Sequence, residues 1–293
     1  VSEMVQLKQV AEASKDNIHS ADLEFIVLHG DLVYSTADDG KVKIWNKDLV
    51  LQKEFQAHDY AVYHLLIVQD KIFTASIDST IKVWDLSTLK LLKTLTKHSE
   101  PVKRVVTNGK RLFSADDGGI VIVWNLESLE SVNTYEVNEE VWDFVAVGNY
   151  FFSVRDRGIN ITEIKEDQTS QYAVVKVLQG RAPLYISEKF LVYGEFGASY
   201  GLHLHKYQPT EFPEITDLRG HDRIITCIGG SVVGGGERLA SGGYDNKINL
   251  WDLCTGELMS SCPVPVTPSA LAMGTDGAVY VGGPDGFIVK MTV

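Results

Sequence analysis

One short strand-like phrase recurs four times in this chain and ends each time in Trp-Asp or Trp-Asn. The tryptophans are Trp45, Trp84, Trp124 and Trp251, and the first two intervals are 39 and 40 residues. Three intervals of about that size fit between the last two. A fixed period near 40 with one alternating strand per repeat is typical of a β-propeller. Because one blade cannot bury its own faces, the repeats predict a single closed domain over residues 1–293.

Counting along the period predicts seven blades, each of four strands. Three repeats have lost the Trp, and Thr162, His205 and Lys290 lie at or near its place. The predicted third strands end near residues 45, 84, 124, 162, 205, 251 and 290. The chain stops inside the last third strand, so we expect a strand in residues 1–12 to pair with the last blade and cover its edge. The predicted fold class is therefore all-β, a seven-bladed β-propeller.

The repeated His, Ser/Thr, Asp and Trp spacing resembles that of the WD-repeat β-propellers, over essentially the whole chain. KIFTASIDSTIKVWDL and RLFSADDGGIVIVWNL are also similar to the C-terminal propellers of RING-type ubiquitin ligases and myosin heavy chain kinases. The resemblance implies a buried relay from the indole through the hydroxyl and the His to the Asp. In repeat three Gly118 stands at the Asp place, with Asp117 one residue early. The His residues given a structural role are His19, His58, His98 and His221.

The charge, the cysteine count and the apolar runs of the chain limit the partners and the cellular location that we expect for it. The net charge is −12 and the pI about 5.1, which argues against nucleic acid or anionic lipid as the main partner. Three cysteines without paired spacing indicate reduced thiols and an intracellular, cytoplasmic protein. No apolar run approaches the ~20 residues of a membrane span, and no secretory signal is visible. The start at Val1 suggests a C-terminal piece of a larger protein.

Two other patterns resemble binding sites but lack a required part. His203 and His205 alternate on one strand, but a metal site needs third and fourth ligands that the sequence does not identify. The glycine cluster within residues 229–236 is not followed by the GK[ST] of a phosphate-binding loop. The sequence therefore predicts neither a metal site nor a cofactor.

Trp142 is the one Trp outside a third-strand end. By resemblance to the family, the places three and five residues after the relay His ring one face, and the place just before the turn Asp forms a second ring there. An aromatic and acidic rim there favours a protein or peptide partner, basic in character. An ordinary solvated rim is an equally weighted alternative. The predicted partner-binding residues are Trp142, Tyr185, Tyr63, Glu24, Lys103, Glu140, Arg155, Tyr244 and Phe196.

The sequence thus favours a non-enzymatic, monomeric interaction platform. One specific form of that hypothesis is a substrate-recruitment domain of a ubiquitin ligase or kinase, from the second resemblance. A propeller hydrolase or lactonase is an alternative from another class, but it needs carboxylates and His around a metal. A third possibility is an assembly scaffold that makes its contacts through the blade edges.

Overall fold

The structure, a computed structural model, describes residues 6–137, 140–155, 157–164, 174–197, 199–208 and 211–293. Within these residues β-strands form seven four-stranded antiparallel sheets, with one 3-10 turn at Pro284–Gly286. The chain divides into two compact units. The first unit is Val1–Gln56 with Tyr185–Val293, and the second unit is Ala57–Leu184.

The strands of the first four blades follow chain order within each sheet, and β1 (Lys8–Glu12) precedes them. Blade 1 is β2 (Leu23–His29), β3 (Leu32–Ala37), β4 (Lys41–Asn46) and β5 (Leu51–Gln56). Blade 2 is β6 (Val62–Val68), β7 (Lys71–Ser76), β8 (Ile81–Asp85) and β9 (Leu91–Leu95). Blade 3 is β10 (Val102–Thr107), β11 (Arg111–Asp116), β12 (Ile120–Asn125) and β13 (Ser131–Glu136). Blade 4 is β14 (Asp143–Val147), β15 (Tyr150–Val154), β16 (Gly158–Glu163) and β17 (Val174–Gln179).

The remaining strands build three more sheets, and the last of these also takes in β1. Blade 5 is β18 (Arg181–Ile186), β19 (Phe190–Gly194), β20 (Leu202–Lys206) and β21 (Glu214–Leu218). Blade 6 is β22 (Ile225–Val233), β23 (Gly236–Gly243), β24 (Lys247–Asp252) and β25 (Glu257–Pro263). Blade 7 is β26 (Ala270–Met273), β27 (Val279–Gly282) and β28 (Ile288–Thr292), with β1 as its fourth strand. The predicted all-β, seven-bladed propeller class is confirmed.

The second and third strands of each blade form the core. In β7 and β11 every residue after the first is buried, because side chains on both faces of the sheet pack against apolar groups. In the second unit one apolar cluster joins Phe73 and Val83 of blade 2 to Val105 and Trp124 of blade 3. Inter-blade packing of this kind supplies the burial that one blade lacks.

A β-bulge marks the Trp place in six blades. The register to the fourth strand shifts immediately before Trp45, Trp84, Trp124, Thr162, His205 and Trp251. The structure therefore places Thr162 and His205 in the Trp position, as the period predicted. In blade 7 the same shift lies between Lys290 and Met291. Met291, which is buried, takes the place to which Lys290 had been assigned.

The N-terminal strand completes blade 7, as predicted. β1 pairs antiparallel with β28, with Lys8 opposite Thr292 and Glu12 opposite Val289. Just before it, Leu7 is buried and its backbone N–H donates to Ser260 Oγ at 3.0 Å. The third strand of the last blade is therefore covered instead of presenting a bare edge.

Two further features concern the chain as a whole. Cys227, Cys254 and Cys262 are free thiols, and Cys227 is buried. Among the described residues no helix has the length and apolar character that crossing a membrane requires.

Candidate functional site

The His–Ser/Thr–Asp–Trp sets form buried relays in blades 1, 2, 3 and 6. The indole N–H donates to the hydroxyl at 2.8–3.0 Å, and the hydroxyl lies 2.6–2.8 Å from the His Nε2. The His Nδ1 lies 2.7–3.0 Å from the carboxylate. All four histidines and their hydroxyl partners are buried. A site that recurs four times and is closed to solvent supports the fold and offers no approach to a substrate.

Blade 3 uses a different acid from the one its spacing indicated. His98 Nδ1 lies 2.7 Å from Asp116 Oδ2, and Asp116 is fully buried. Asp117, the acid nearest to the expected spacing, is the next residue. Its side chain does not contact His98 in this way but lies near a lysine. Its Oδ2 lies 3.3 Å from Lys103 Nζ.

One backbone hydrogen bond identifies the residue that each turn presents beside the first strand. The amides of Asp38, Ile77, Asp117 and Tyr244 donate to the carbonyls of Asp22, Ala61, Pro101 and Ile224. Asp117 is therefore the blade 3 member of the predicted second ring. Sequence reasoning missed it because the relay Asp precedes this position in blade 3 but follows it in blades 1, 2 and 6.

Within the second unit the structure brings several predicted site residues together. Tyr63 and Lys103 each follow the first residue of a first strand, and Lys103 Nζ lies 4.1 Å from the centroid of the Tyr63 ring. Burial raises the pKa of Asp117, the Lys103 charge opposes the shift, and the Glu140 charge adds to it. Tyr63, Lys103, Asp117 and Glu140 thus share one electrostatic neighbourhood that spans blades 2, 3 and 4.

Trp142 adds a partly exposed aromatic side chain to the segment that carries Glu140. It lies two residues after Glu140, and its backbone N–H donates to the carbonyl of Val154 at 2.9 Å, which holds the segment against β15. Its side chain is 39% exposed, whereas Trp84 is 7% exposed. We call Tyr63, Lys103, Asp117, Glu140 and Trp142 the second-unit surface.

A buried polar row lies beside this surface on the same first strands. Arg104 Nε donates to Asp143 Oδ1 at 2.9 Å, and Asp143 Oδ2 accepts from the Leu184 amide. Next to them, burial lowers the pKa of His64 well below its usual value, and the Arg104 charge lowers it further. The row joins the first strands of blades 3 and 4 to β18 and so holds these strands together beside the surface.

Arg155 of blade 4 is the remaining predicted residue in the second unit. It is half-buried, with its Nη2 3.4 Å from Asn160 Oδ1 in the neighbouring strand. It lies against its own blade, and its contact with the second-unit surface stays a prediction.

The predicted site residues of the first unit differ from one another in exposure and in their contacts. Tyr244 and Phe196 are 55% and 49% exposed, and Glu24 is half-buried. Tyr185 donates its hydroxyl to Glu237 at 3.0 Å, and a Cβ on Gly230 would lie 2.5 Å from its ring. Burial, followed by the Glu237 charge, raises the pKa of this phenol well above its usual value.

The strand register explains why Tyr185 differs from the other predicted rim residues. The Ser187 amide donates to Phe190 O, as the Asn108 amide does to Arg111 O in blade 3. Lys103 precedes Asn108 by five residues, and Ala182 precedes Ser187 by five. Ala182 therefore holds the rim place of blade 5, and Tyr185 lies three residues further along the strand. The prediction placed Tyr185 wrongly because repeat five has no relay His to align on.

The corresponding places in blades 6 and 7 join neighbouring blades of the first unit. Thr226 Oγ1 donates to the carbonyl of Pro268, and Ser269 Oγ donates to the carbonyl of Leu23. These hydroxyls are therefore used in blade-to-blade contacts.

Comparison with known proteins agrees with this geometry. The family described as WD domain, G-beta repeat matches residues 8–46, 49–85, 89–125 and 212–252, together more than half of the chain. The COMPASS component SWD3 of Saccharomyces cerevisiae is 26% identical over 157 residues, 52% of this chain and 46% of that protein. The DDB1- and CUL4-associated factor 11 homolog of Caenorhabditis elegans is 34% identical over 94 residues, 29% of this chain and 16% of that protein.

A third relative, the pre-rRNA-processing protein crb3/ipi3 of Schizosaccharomyces pombe, is 38% identical over 78 residues, 25% of this chain and 17% of that protein. The matched segments span less than half of each of these relatives. The matched repeats end at the relay-bearing third strands of blades 1, 2, 3 and 6, and the chain belongs to the WD-repeat family.

Proposed function

We propose that this chain is a non-enzymatic interaction platform that binds a partner peptide or domain through the second-unit surface. The observation that carries the proposal is Trp142, a large aromatic that is 39% exposed and lies two residues after Glu140, whose charge acts on Asp117. Exposed Trp and Tyr are enriched among residues that dominate binding energy. The names of two relatives, a COMPASS component and a DDB1- and CUL4-associated factor, describe members of protein assemblies, which supports the same role here.

The charges favour a partner with Lys or Arg next to an apolar side chain. Asp117 and Glu140 outnumber Lys103 on the second-unit surface, and the whole chain carries −12. A basic partner would be steered to the surface and would relieve the repulsion between the two acids. The apolar side chain would pack on Trp142.

Blade edges are the second candidate, because outer strands of the same unit also expose apolar side chains. Val132 is 51% exposed in β13, and Val175 and Val177 are 50% and 55% exposed in β17. Such side chains on a fourth strand suit edge-to-edge assembly. An experiment must therefore separate these two surfaces.

The test is selection of a displayed random-peptide library on the purified protein, followed by calorimetric affinities for the selected peptides. We expect peptides with Lys or Arg flanking an apolar residue. Trp142→Ala should weaken them by at least about tenfold, which is about 1.4 kcal/mol. Val132→Ala, at a more exposed apolar residue on an outer strand, should leave the affinity unchanged. If Val132→Ala or Val175→Ala weakens binding and Trp142→Ala does not, the blade edges bind.

Charge reversal sharpens the same test. Glu140→Lys should slow association with a basic peptide, and more so at low salt, because rim charges act mainly on the association rate. Lys110→Ala, in the exposed turn between β10 and β11, is the matched control and should leave the rate unchanged.

A further inference from the structure

Blade 5 carries a cluster of titratable side chains that the relay pattern does not explain. His203 and His205 lie on β20, and the paired strand β21 carries Glu214 and Asp217. His203 lies opposite Asp217, and His205 lies opposite Glu214.

Both ring nitrogens of His205 make hydrogen bonds within blade 5. Its Nδ1 lies 2.8 Å from the carbonyl oxygen of Phe212, and its Nε2 lies 2.9 Å from the Tyr193 hydroxyl. Because a carbonyl only accepts, Nδ1 carries the proton and Nε2 accepts from Tyr193. The ring is buried and stacked on Tyr193 at 5.2 Å. His205 thus fills the Trp position and is closed to a ligand.

His203 faces outward and meets two carboxylates. Its Nδ1 lies 2.8 Å from Asp217 Oδ1, and the side chain is 23% exposed. One ligand atom from each of His203, Glu214 and Asp217 lies within 4.8 Å of the others. Glu214 and Asp217 of β21 therefore supply the further ligands that the sequence could not identify.

The surrounding charges favour a cation at this point. Arg219 places Nη2 2.8 Å from Asp217 Oδ2 and Nη1 3.3 Å from Glu195 Oε2. One guanidinium is therefore shared by the carboxylates of Asp217 and Glu195, and Glu214 adds a further negative charge beside His203 and Asp217. Arg219 also occupies the outer oxygen of Asp217 and so aims the other oxygen at His203. Hydrogen bonds that orient a ligand in this way are a regular part of protein metal sites.

We propose that His203, Glu214 and Asp217 form a binding site for a divalent first-row transition metal, with Zn²⁺ as its probe. One imidazole nitrogen with two carboxylate oxygens suits Zn²⁺, whereas Ca²⁺ and Mg²⁺ take oxygen ligands. The metal replaces the proton between His203 and Asp217, and the three ligands close to roughly 3.4 Å from one another around a tetrahedral ion. Glu214 is exposed, so water supplies the fourth ligand.

Such a site would join the third and fourth strands of blade 5. That blade has no Trp, and its fourth strand exposes Glu214 and Ile215. Bound metal would hold β21 on β20 and raise the melting temperature, because only the folded blade gathers the three ligands. This inference is independent of the proposed binding surface, which lies in the other unit.

The test is calorimetric titration of EDTA-treated, tag-free protein with ZnCl2, beside melting curves. We expect one strong site that is weakened more than about tenfold by His203→Ala and by Glu214→Gln. Glu214→Gln is the cleaner variant because Glu214 is exposed and makes no relay contact. MgCl2 and CaCl2 should neither bind nor compete.

Two controls make the test decisive. His29→Ala removes an exposed histidine from blade 1, and Cys254→Ser removes the exposed thiol. Both should bind Zn²⁺ like the parent protein. Loss of the site in either control, or parent-like binding by both His203→Ala and Glu214→Gln, would place the metal elsewhere and overturn the proposal.

Discussion

Blades 2 and 5 fill the same two neighbouring positions of the second and third strands with side chains of opposite size. In blade 2 the second strand carries the small Thr74 and the third carries Trp84. In blade 5 the second strand carries Tyr193 and the third carries His205. In both, a hydroxyl meets a ring nitrogen, at 3.0 and 2.9 Å, and the bulge before the ring is the same.

The comparison shows what this pair of positions in a blade requires. A filled volume and a satisfied hydrogen bond are kept in both blades, while the identity of the aromatic is not. The relays then end differently. Blade 2 continues from Thr74 to His58 and the Asp78 carboxylate, whereas blade 5 ends at the carbonyl of Phe212.

The largest expected effect is that of Trp84→Ala. The substitution removes a buried indole from the cluster between blades and leaves a cavity, at a cost of about 3–5 kcal/mol in the free energy of unfolding. His205→Ala removes a smaller ring and leaves the Tyr193 hydroxyl without its acceptor, at a cost of about 1–3 kcal/mol. Denaturant unfolding of both variants measures the difference. A larger loss in His205→Ala would mean that blade 5 depends more on its ring than blade 2 does.

A smaller effect tests whether Tyr193 and His205 act as a pair. Tyr193→Phe should cost about 1–2 kcal/mol, because it leaves His205 Nε2 unsatisfied in a buried site. In a double-mutant cycle with His205→Ala, the two losses should fall short of additivity by at least about 0.5 kcal/mol. Tyr60→Phe, at a 62% exposed tyrosine, is the control and should change nothing. Additive losses would show that the two side chains only fill space.

Blades 2 and 5 should respond differently to low pH, because their hydrogen-bond relays end in different groups. The relay of blade 2 ends in the Asp78 carboxylate, and that of blade 5 ends in the Phe212 carbonyl. Burial raises the pKa of Asp78, but the hydrogen bonds and charge of His58, with Thr80, outweigh it and lower the value from 3.8 to about 2. Because the folded-state pKa is depressed, this stabilisation is fully present above about pH 4 and is lost as the pH falls towards 2. It amounts to about 2 kcal/mol.

Unfolding free energies between pH 5 and pH 3 measure this effect. Asp78→Asn should reduce the pH dependence over that range, since the blade 2 relay no longer titrates, while Asp39, whose pKa is also lowered to about 2, keeps its own contribution. Tyr193→Phe should keep the slope of the parent protein, because the Phe212 carbonyl has no proton to gain. Equal slopes in Asp78→Asn and the parent would contradict the assignment.

The blades were predictable because their signal is periodic. The buried third strand and its bulge need one large or well-packed side chain at a fixed spacing, so Thr162 and His205 could be assigned without a Trp. Where turns differ by one or two residues, spacing fails. Met291 was missed for Lys290, and Asp116 for Asp117, because adjacent residues exchange positions when a turn changes length by one residue.

The candidate site was less predictable than the fold. Lys103 and Tyr63 follow aligned strand starts, and their contact is a consequence of the repeat. Repeat five has no relay His on which Tyr185 could be aligned, and the rim place of its first strand is Ala182, three residues before Tyr185. The His203–Asp217 contact depends on the register in which β21 pairs with β20, and no local sequence pattern encodes that register.

The smallest expected effect on stability is that of Trp142→Ala, and it completes the comparison with Trp84. Both are tryptophans of the second unit, but Trp142 is 39% exposed and belongs to none of the relays. We expect a loss of less than about 1 kcal/mol, as for surface substitutions away from packed features. The same denaturant series measures it beside Trp84→Ala. A loss as large as that of Trp84→Ala would make Trp142 a packing residue, and the second-unit surface would lose the apolar group on which the proposed function rests.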